Sequence, residues 1–165
     1  MDFGRLLRHL ATSSRIVRRR FPASALAAIE AAITAGEQRH EPEIRFAVEG
    51  ALPARAILRG ITPRDRAIDV FSELRVWDTE HNTGVLIYLL LADRDVEIVA
   101  DRGVAARVAP AEWEAICREM EVHFREGRYE AGALAGIRAT SDLLARHFPA
   151  RVPGRGEQPD RPVVL

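Results

Sequence analysis

At 165 residues, 47% apolar and 29% charged, the sequence is sized and composed for one globular domain. Its formal net charge is zero, so the molecule as a whole favours neither nucleic acid nor a membrane surface. All 24 of its Lys/Arg-type cations are arginines, which excludes Schiff-base and P-loop lysine chemistry, and the single Cys117 excludes an intrachain disulfide.

In chain order, Phe3, Leu6, Leu7, Leu10 and Val17 recur at helical spacing with arginines between them, and predict an amphipathic helix over residues 1–22 that Phe21 and Pro22 end. Residues 1–20 hold six arginines against one acid, Asp2. Such a segment reads either as an anchor for a membrane surface or acidic partner, or as a docking helix with solvated arginines. Ser24 is the expected N-cap of a second helix with a stripe of Leu26, Ile29, Ala32 and Ile33, closing near Gly36. EIRFAVE at 43–49 alternates and predicts a strand, and residues 50–63 read as a loop. Thr62 as N-cap and Pro63 at the first helical position start a helix with Ala67, Val70, Phe71 and Leu74 inward.

The polar loop WDTEHNT at 77–83 precedes a strand at 84–91 that is apolar on both faces, as a sheet centre requires. Asp93 and Arg94 signal a turn into a third, alternating strand ending near Ala100. Residues 104–108 read as irregular or a short strand. Pro110 opens a helix through Trp113, Ile116, Met120 and Phe124, Gly127 breaks it, and a last helix runs over 129–148. Residues 151–165, with three prolines and two glycines, read as a flexible arm; Val163, Val164 and Leu165 suit either a partner's groove or this chain's own sheet. Residues 23–150 are the expected domain core. The expected architecture is an α/β fold, a three-layer α/β/α sandwich with a mixed central sheet.

This topology gathers acids at one sheet edge. The start of the second strand and the end of the third share that edge, placing Asp78, Glu80 and Asn82 near Asp101; a parallel first strand adds Glu41 and Glu43. Oxygen donors of this kind suit Ca²⁺ or Mg²⁺, while Arg102 beside them suits an anion or neutralises the acids by itself. Turn formation and ion pairing account equally for these acids. His81 is a loop histidine, Cys117 reads as packed core, and HExxH, GxSxG, P-loop and GxGxxG motifs are absent. No apolar run is long enough to span a bilayer and the N-terminus lacks a signal-peptide run, so a cytoplasmic protein is expected.

GVLIYL at 84–89, DRDVEIV at 93–99, Arg102-Gly103, the upstream EIRFAV and the downstream FREGRYEAG at 124–132 together resemble the TPM domain family over residues 24–148. The family carries Asn where Thr83 stands, and an acid soon after the position of Gly103, where this chain has Val104 to Arg107. The resemblance implies an α/β/α sandwich, divalent-cation binding and an acid-phosphatase activity. Two functions are therefore expected. One is a non-catalytic adaptor or regulatory domain binding Ca²⁺ or Mg²⁺ through Glu43, Asp78, Asn82 and Asp101, with a protein partner at the N-terminal helix or C-terminal arm and no nucleic acid. The alternative is a weak metal-assisted phosphatase acting on phosphomonoesters, with Asp78 or Asp101 as base and Arg102 on the phosphate.

Overall fold

The structure, a computed structural model, describes residues 3–150 and 156–165. Three strands form where alternation or a continuous apolar run predicts them: β1 (Ile44–Glu49), β2 (Val85–Leu90) and β3 (Asp95–Ala100). β1 pairs parallel with β2, from Ile44 opposite Val85 to Glu49 opposite Leu90. β3 pairs antiparallel with β2, with Val85 opposite Ala100. A fourth strand, β4 (Val163–Val164), lies parallel to β1 opposite Ala47 and Val48, giving the order β3-β2-β1-β4.

This pairing corrects the expected flexible arm over its described part, residues 156–165; residues 151–155 lie outside the described residues. Val163 and Val164 cover the otherwise open edge of β1, and Leu165 N–H donates to Val48 O at 3.0 Å. β1 thus becomes an interior strand, and all six of its residues are buried, including Arg45 and Glu49 whose alternation reads as a solvent face.

Helices cover both faces, as the three-layer reading requires. On one face α3 (Ala23–Glu37), α7 (Pro110–Arg125) and α8 (Tyr129–His147) pack Ile29, Ile33, Met120, Phe124 and Ile137 onto Ile44, Phe46, Val48, Val85, Ile87 and Leu89. On the other, α5 (Pro63–Glu73) packs Ala67, Val70 and Phe71 onto Ala47, Leu86, Tyr88 and Leu90. The period-2 alternation of β1 and β2 sorts these two cores. α5 starts on the expected cap: Thr62 accepts from Asp65 N–H at 3.1 Å and Thr62 N–H donates back to Asp65 at 2.9 Å.

Four local expectations are corrected. The single N-terminal helix is two, α1 (Phe3–Ala11) and α2 (Ser14–Arg20), parted at Thr12 and Ser13. α3 begins after Pro22, not Ser24, and without a side-chain cap. The loop after β1 contains a short helix, α4 (Ala54–Leu58), entered at Pro53. Residues after Asp101 turn into α6 (Arg102–Ala105), because Asp101 accepts from Arg102 N–H and caps the turn.

Candidate functional site

The starts of β1 and β2 and the end of β3 meet at one edge, which brings three of the predicted segments together. The loop 77–83 is pressed onto this edge. Gly103 N–H donates to Asn82 O at 2.9 Å, and a Cβ on Gly103 would stand 2.6 Å from the carbonyl oxygens of both His81 and Asn82. Asn82 takes a left-handed backbone (φ 55°), and its side-chain oxygen accepts from Arg102 Nη2 at 2.9 Å. Asp101 Oδ1 accepts from Arg102 N–H at 2.7 Å, while Oδ2 is buried without a hydrogen-bond partner. Asp78 is exposed and is tied down through its backbone, its N–H donating to Arg75 O at 2.9 Å and its carbonyl accepting from the Gln158 amide at 3.2 Å. Asn82, Asp101 and Arg102 therefore form one unit, with Asp78 outside it.

Glu43 belongs to a different group. Its carboxylate, with those of Glu37 and Asp160, offers three ligand oxygens all within 4.8 Å of one another, and this buried acidic triad can hold a metal ion. Each acid comes from a separate element: Glu37 from the last turn of α3, Glu43 from the entry to β1, Asp160 from the C-terminal segment. Burial pushes the Glu37 carboxyl up to about 9, against the 2.7 Å hydrogen bond from Ile44 N–H; the charges of Glu43 and Asp160 add to the rise. Burial also raises Glu43, opposed by N–H groups of Glu157 and Gln158 at 3.3 Å. Arg45, 6% exposed, lies beside the triad and reaches Pro159 O, and burial lowers its pKa while Asp160 and Glu37 oppose that. Burial thus favours the protonated form of Glu37, and the Arg45 guanidinium is the cation that acts on Asp160 and Glu37.

The same contacts bind the C-terminal segment. Thr34 donates to Asp160, Glu80 N–H donates to the Glu157 carboxylate at 2.8 Å, and Gln158 spans the carbonyls of Arg75 and Asp78 at 3.2 Å. The segment thus straps the 77–83 loop to β1. Sequence reasoning found Glu43 but missed Glu37 and Asp160. Only the helical phase that puts Glu37 on the buried side of α3 hinted at the first, and nothing in the sequence pointed to Asp160.

Asp93, read as turn chemistry, also anchors the N-terminus. It takes Arg5 Nε at 2.9 Å and faces His9 Nε2 at 3.1 Å, while His9 Nδ1 accepts from Leu52 N–H at 2.9 Å. Burial opposes its charge, yet hydrogen bonds and charge from Arg5 and His9 hold Asp93 below the ordinary carboxylate range. Cys117 is partly buried against the core, and burial pushes its thiol up to about 12, which favours the unreactive thiol form over the thiolate.

A family model described as TPM domain matches residues 20–143. The NMR structure of the BA42 protein from the psychrophilic bacterium Bizionia argentinensis is similar to this chain, at 28% identity and a TM-score of 0.74. That likeness covers 87% of this chain and 94% of that one. No curated protein matches. Among the described residues no helix is long and apolar enough to cross a membrane.

Proposed function

The chain belongs to the TPM domain family, and from that premise we propose that it is a non-catalytic adaptor or regulatory domain that binds a divalent cation, Ca²⁺ or Mg²⁺. The observation that carries this reading is the buried triad of Glu37, Glu43 and Asp160. Its donors are all carboxylate oxygens, the set that hard cations take. One donor lies on the C-terminal segment, so filling the site is coupled to how firmly that segment is held. Binding must displace the proton that burial keeps on Glu37, and affinity therefore rises with pH. The orphaned Oδ2 of Asp101 supports a second oxygen-donor position at the same edge.

A Ca²⁺ or Mg²⁺ titration followed by ¹⁵N chemical shifts tests this. Saturable shifts are expected at residues 37, 43 and 157–160, stronger at pH 8 than at pH 6, and reduced in Asp160→Asn. Spectra that stay unchanged to about 10 mM of either ion sink the proposal, since that exceeds even weak extracellular calcium sites.

The alternative, a weak phosphomonoesterase, rests on Asp101, whose buried Oδ2 has no hydrogen-bond partner, and on the exposed side chain of the next residue, Arg102. Arg102 would pair with phosphate oxygens and Asp101 would take a proton at Oδ2. A bound divalent ion supplies polarisation of the phosphoryl oxygen. Turnover of p-nitrophenyl phosphate that Asp101→Asn abolishes without loss of fold is the expected signature; no turnover with any divalent ion rules this alternative out.

A further inference from the structure

Helix α1 is docked with its faces reversed. Phe3, Leu7 and Leu10, spaced to fall within one narrow arc, are 68%, 65% and 67% exposed. The opposite side carries His9, 4% exposed, and Arg5, which are the groups Asp93 holds. The helix thus spends its polar side on the domain and leaves its apolar side in solvent. α4 packs beside α1 and adds Leu58, 55% exposed, to the same end of the molecule. An exposed apolar stripe of this kind marks an interaction surface.

Its charge surroundings say what covers it. The molecule is neutral overall, but residues 3–29 and 50–64 contain no acid and nine arginines. Arg15, Arg18, Arg19, Arg55 and Arg59 are exposed. Where α1 and α2 meet the Asp93 turn, a cleft of about 510 Å³ is lined by four arginines, Arg8, Arg20, Arg94 and Arg125, against one acid, Asp93, which Arg5 and Arg8 pair. A second copy would set these arginines against their equals with no acid in either segment to answer them. The apolar side chains also stand on an exposed helix side and not in a groove, which suits a surface more than a peptide.

We infer that the α1 and α4 end of the protein docks onto an anionic lipid surface. Phe3, Leu7, Leu10 and Leu58 enter the boundary between headgroups and acyl chains, the exposed arginines lie among the headgroups, and the arginine cleft receives a headgroup phosphate. This is the arrangement of an interfacial amphipathic helix lying in the membrane plane. It is independent of the cation reading, which concerns the β1 edge.

Co-sedimentation of the full chain with phosphatidylcholine vesicles containing about one-third phosphatidylglycerol tests it. The expected result is binding to these vesicles, little binding to phosphatidylcholine alone, and steep weakening between about 0.1 and 0.5 M salt. Phe3→Ser/Leu7→Ser/Leu10→Ser should bind at least tenfold more weakly with unchanged circular dichroism and melting, because the three side chains touch solvent. Arg15→Gln/Arg18→Gln/Arg19→Gln should lose roughly fivefold per arginine. Absence of co-sedimentation at low salt overturns the inference, as does undiminished binding of the serine variant. A concentration-dependent dimer abolished by the serine substitutions, with no vesicle binding, overturns it in favour of a second copy.

Discussion

Replacing Glu37 by Gln separates the proton from the site. Glu37 is 6% exposed, and its carboxyl stands near 9 in the fold against an ordinary 4.5. A folded-state pKa above the unfolded one means that the native state holds its proton longer. The associated stability is therefore complete below about pH 4.5 and drains away as pH rises toward 9. Each pH unit in that window removes about 1.4 kcal/mol, so roughly 3 kcal/mol is gone by pH 7. Gln keeps an oxygen for Ile44 N–H and an N–H₂ for Asp160, but cannot ionise. Glu37→Gln should accordingly be more stable than the wild type at pH 7, by about 3 kcal/mol, with a slope from pH 5 to pH 8 shallower by about 1.4 kcal/mol per unit. Urea unfolding followed by circular dichroism across that range measures both slopes. Parallel pH profiles in the two proteins would falsify the assignment of a buried, protonated Glu37. Added Ca²⁺ or Mg²⁺ should stabilise the wild type at pH 8 and not the variant; equal stabilisation of both moves the cation away from the triad.

Arg66→Met leaves the Glu49 carboxylate, 9% exposed and bonded to Arg66 Nε at 2.8 Å and Tyr88 O–H at 2.7 Å, with the tyrosine alone. The expected cost is about 3 kcal/mol, smaller in the Arg66→Met/Glu49→Gln double variant, and a double variant no better than the single one contradicts the pairing. Gly84→Ala places a Cβ 1.8 Å from the carbonyl oxygen of Val76, where the 77–83 loop returns to β2. A loss of about 3 kcal/mol or more is expected from such overpacking, and an alanine variant that melts with the wild type refutes the close approach. Ending the chain after Asp160 removes β4 and bares the β1 edge. Light scattering should then rise with time on warming, while an unchanged, monodisperse truncation shows that β4 does not guard that edge.

The central motif was legible because its signals are local. The apolar run of β2, the alternation of β1 and β3, and the Thr62–Asp65 capping box each fix an element by neighbours a few residues away. The helix between β1 and β2 and the short turn between β2 and β3 then set parallel and antiparallel pairing, and so placed Glu43, Asn82 and Asp101 at one edge. The Ser24 cap misled because Pro22 ends the preceding segment and starts α3 at once.

What the sequence by itself determined is the sandwich, the edge at which polar loops collect, and the family these motifs belong to. Which carboxylates share a site was decided only by the tertiary structure. Glu37 and Asp160 meet because a two-residue strand, too short to show any periodicity, pairs with β1 across more than a hundred residues of chain. The orientation of α1 was likewise decided in three dimensions. Its amphipathic pattern is plain in the sequence, but the pattern is equal for either face, and it is the buried Asp93, taking Arg5 and His9, that turns the polar side inward.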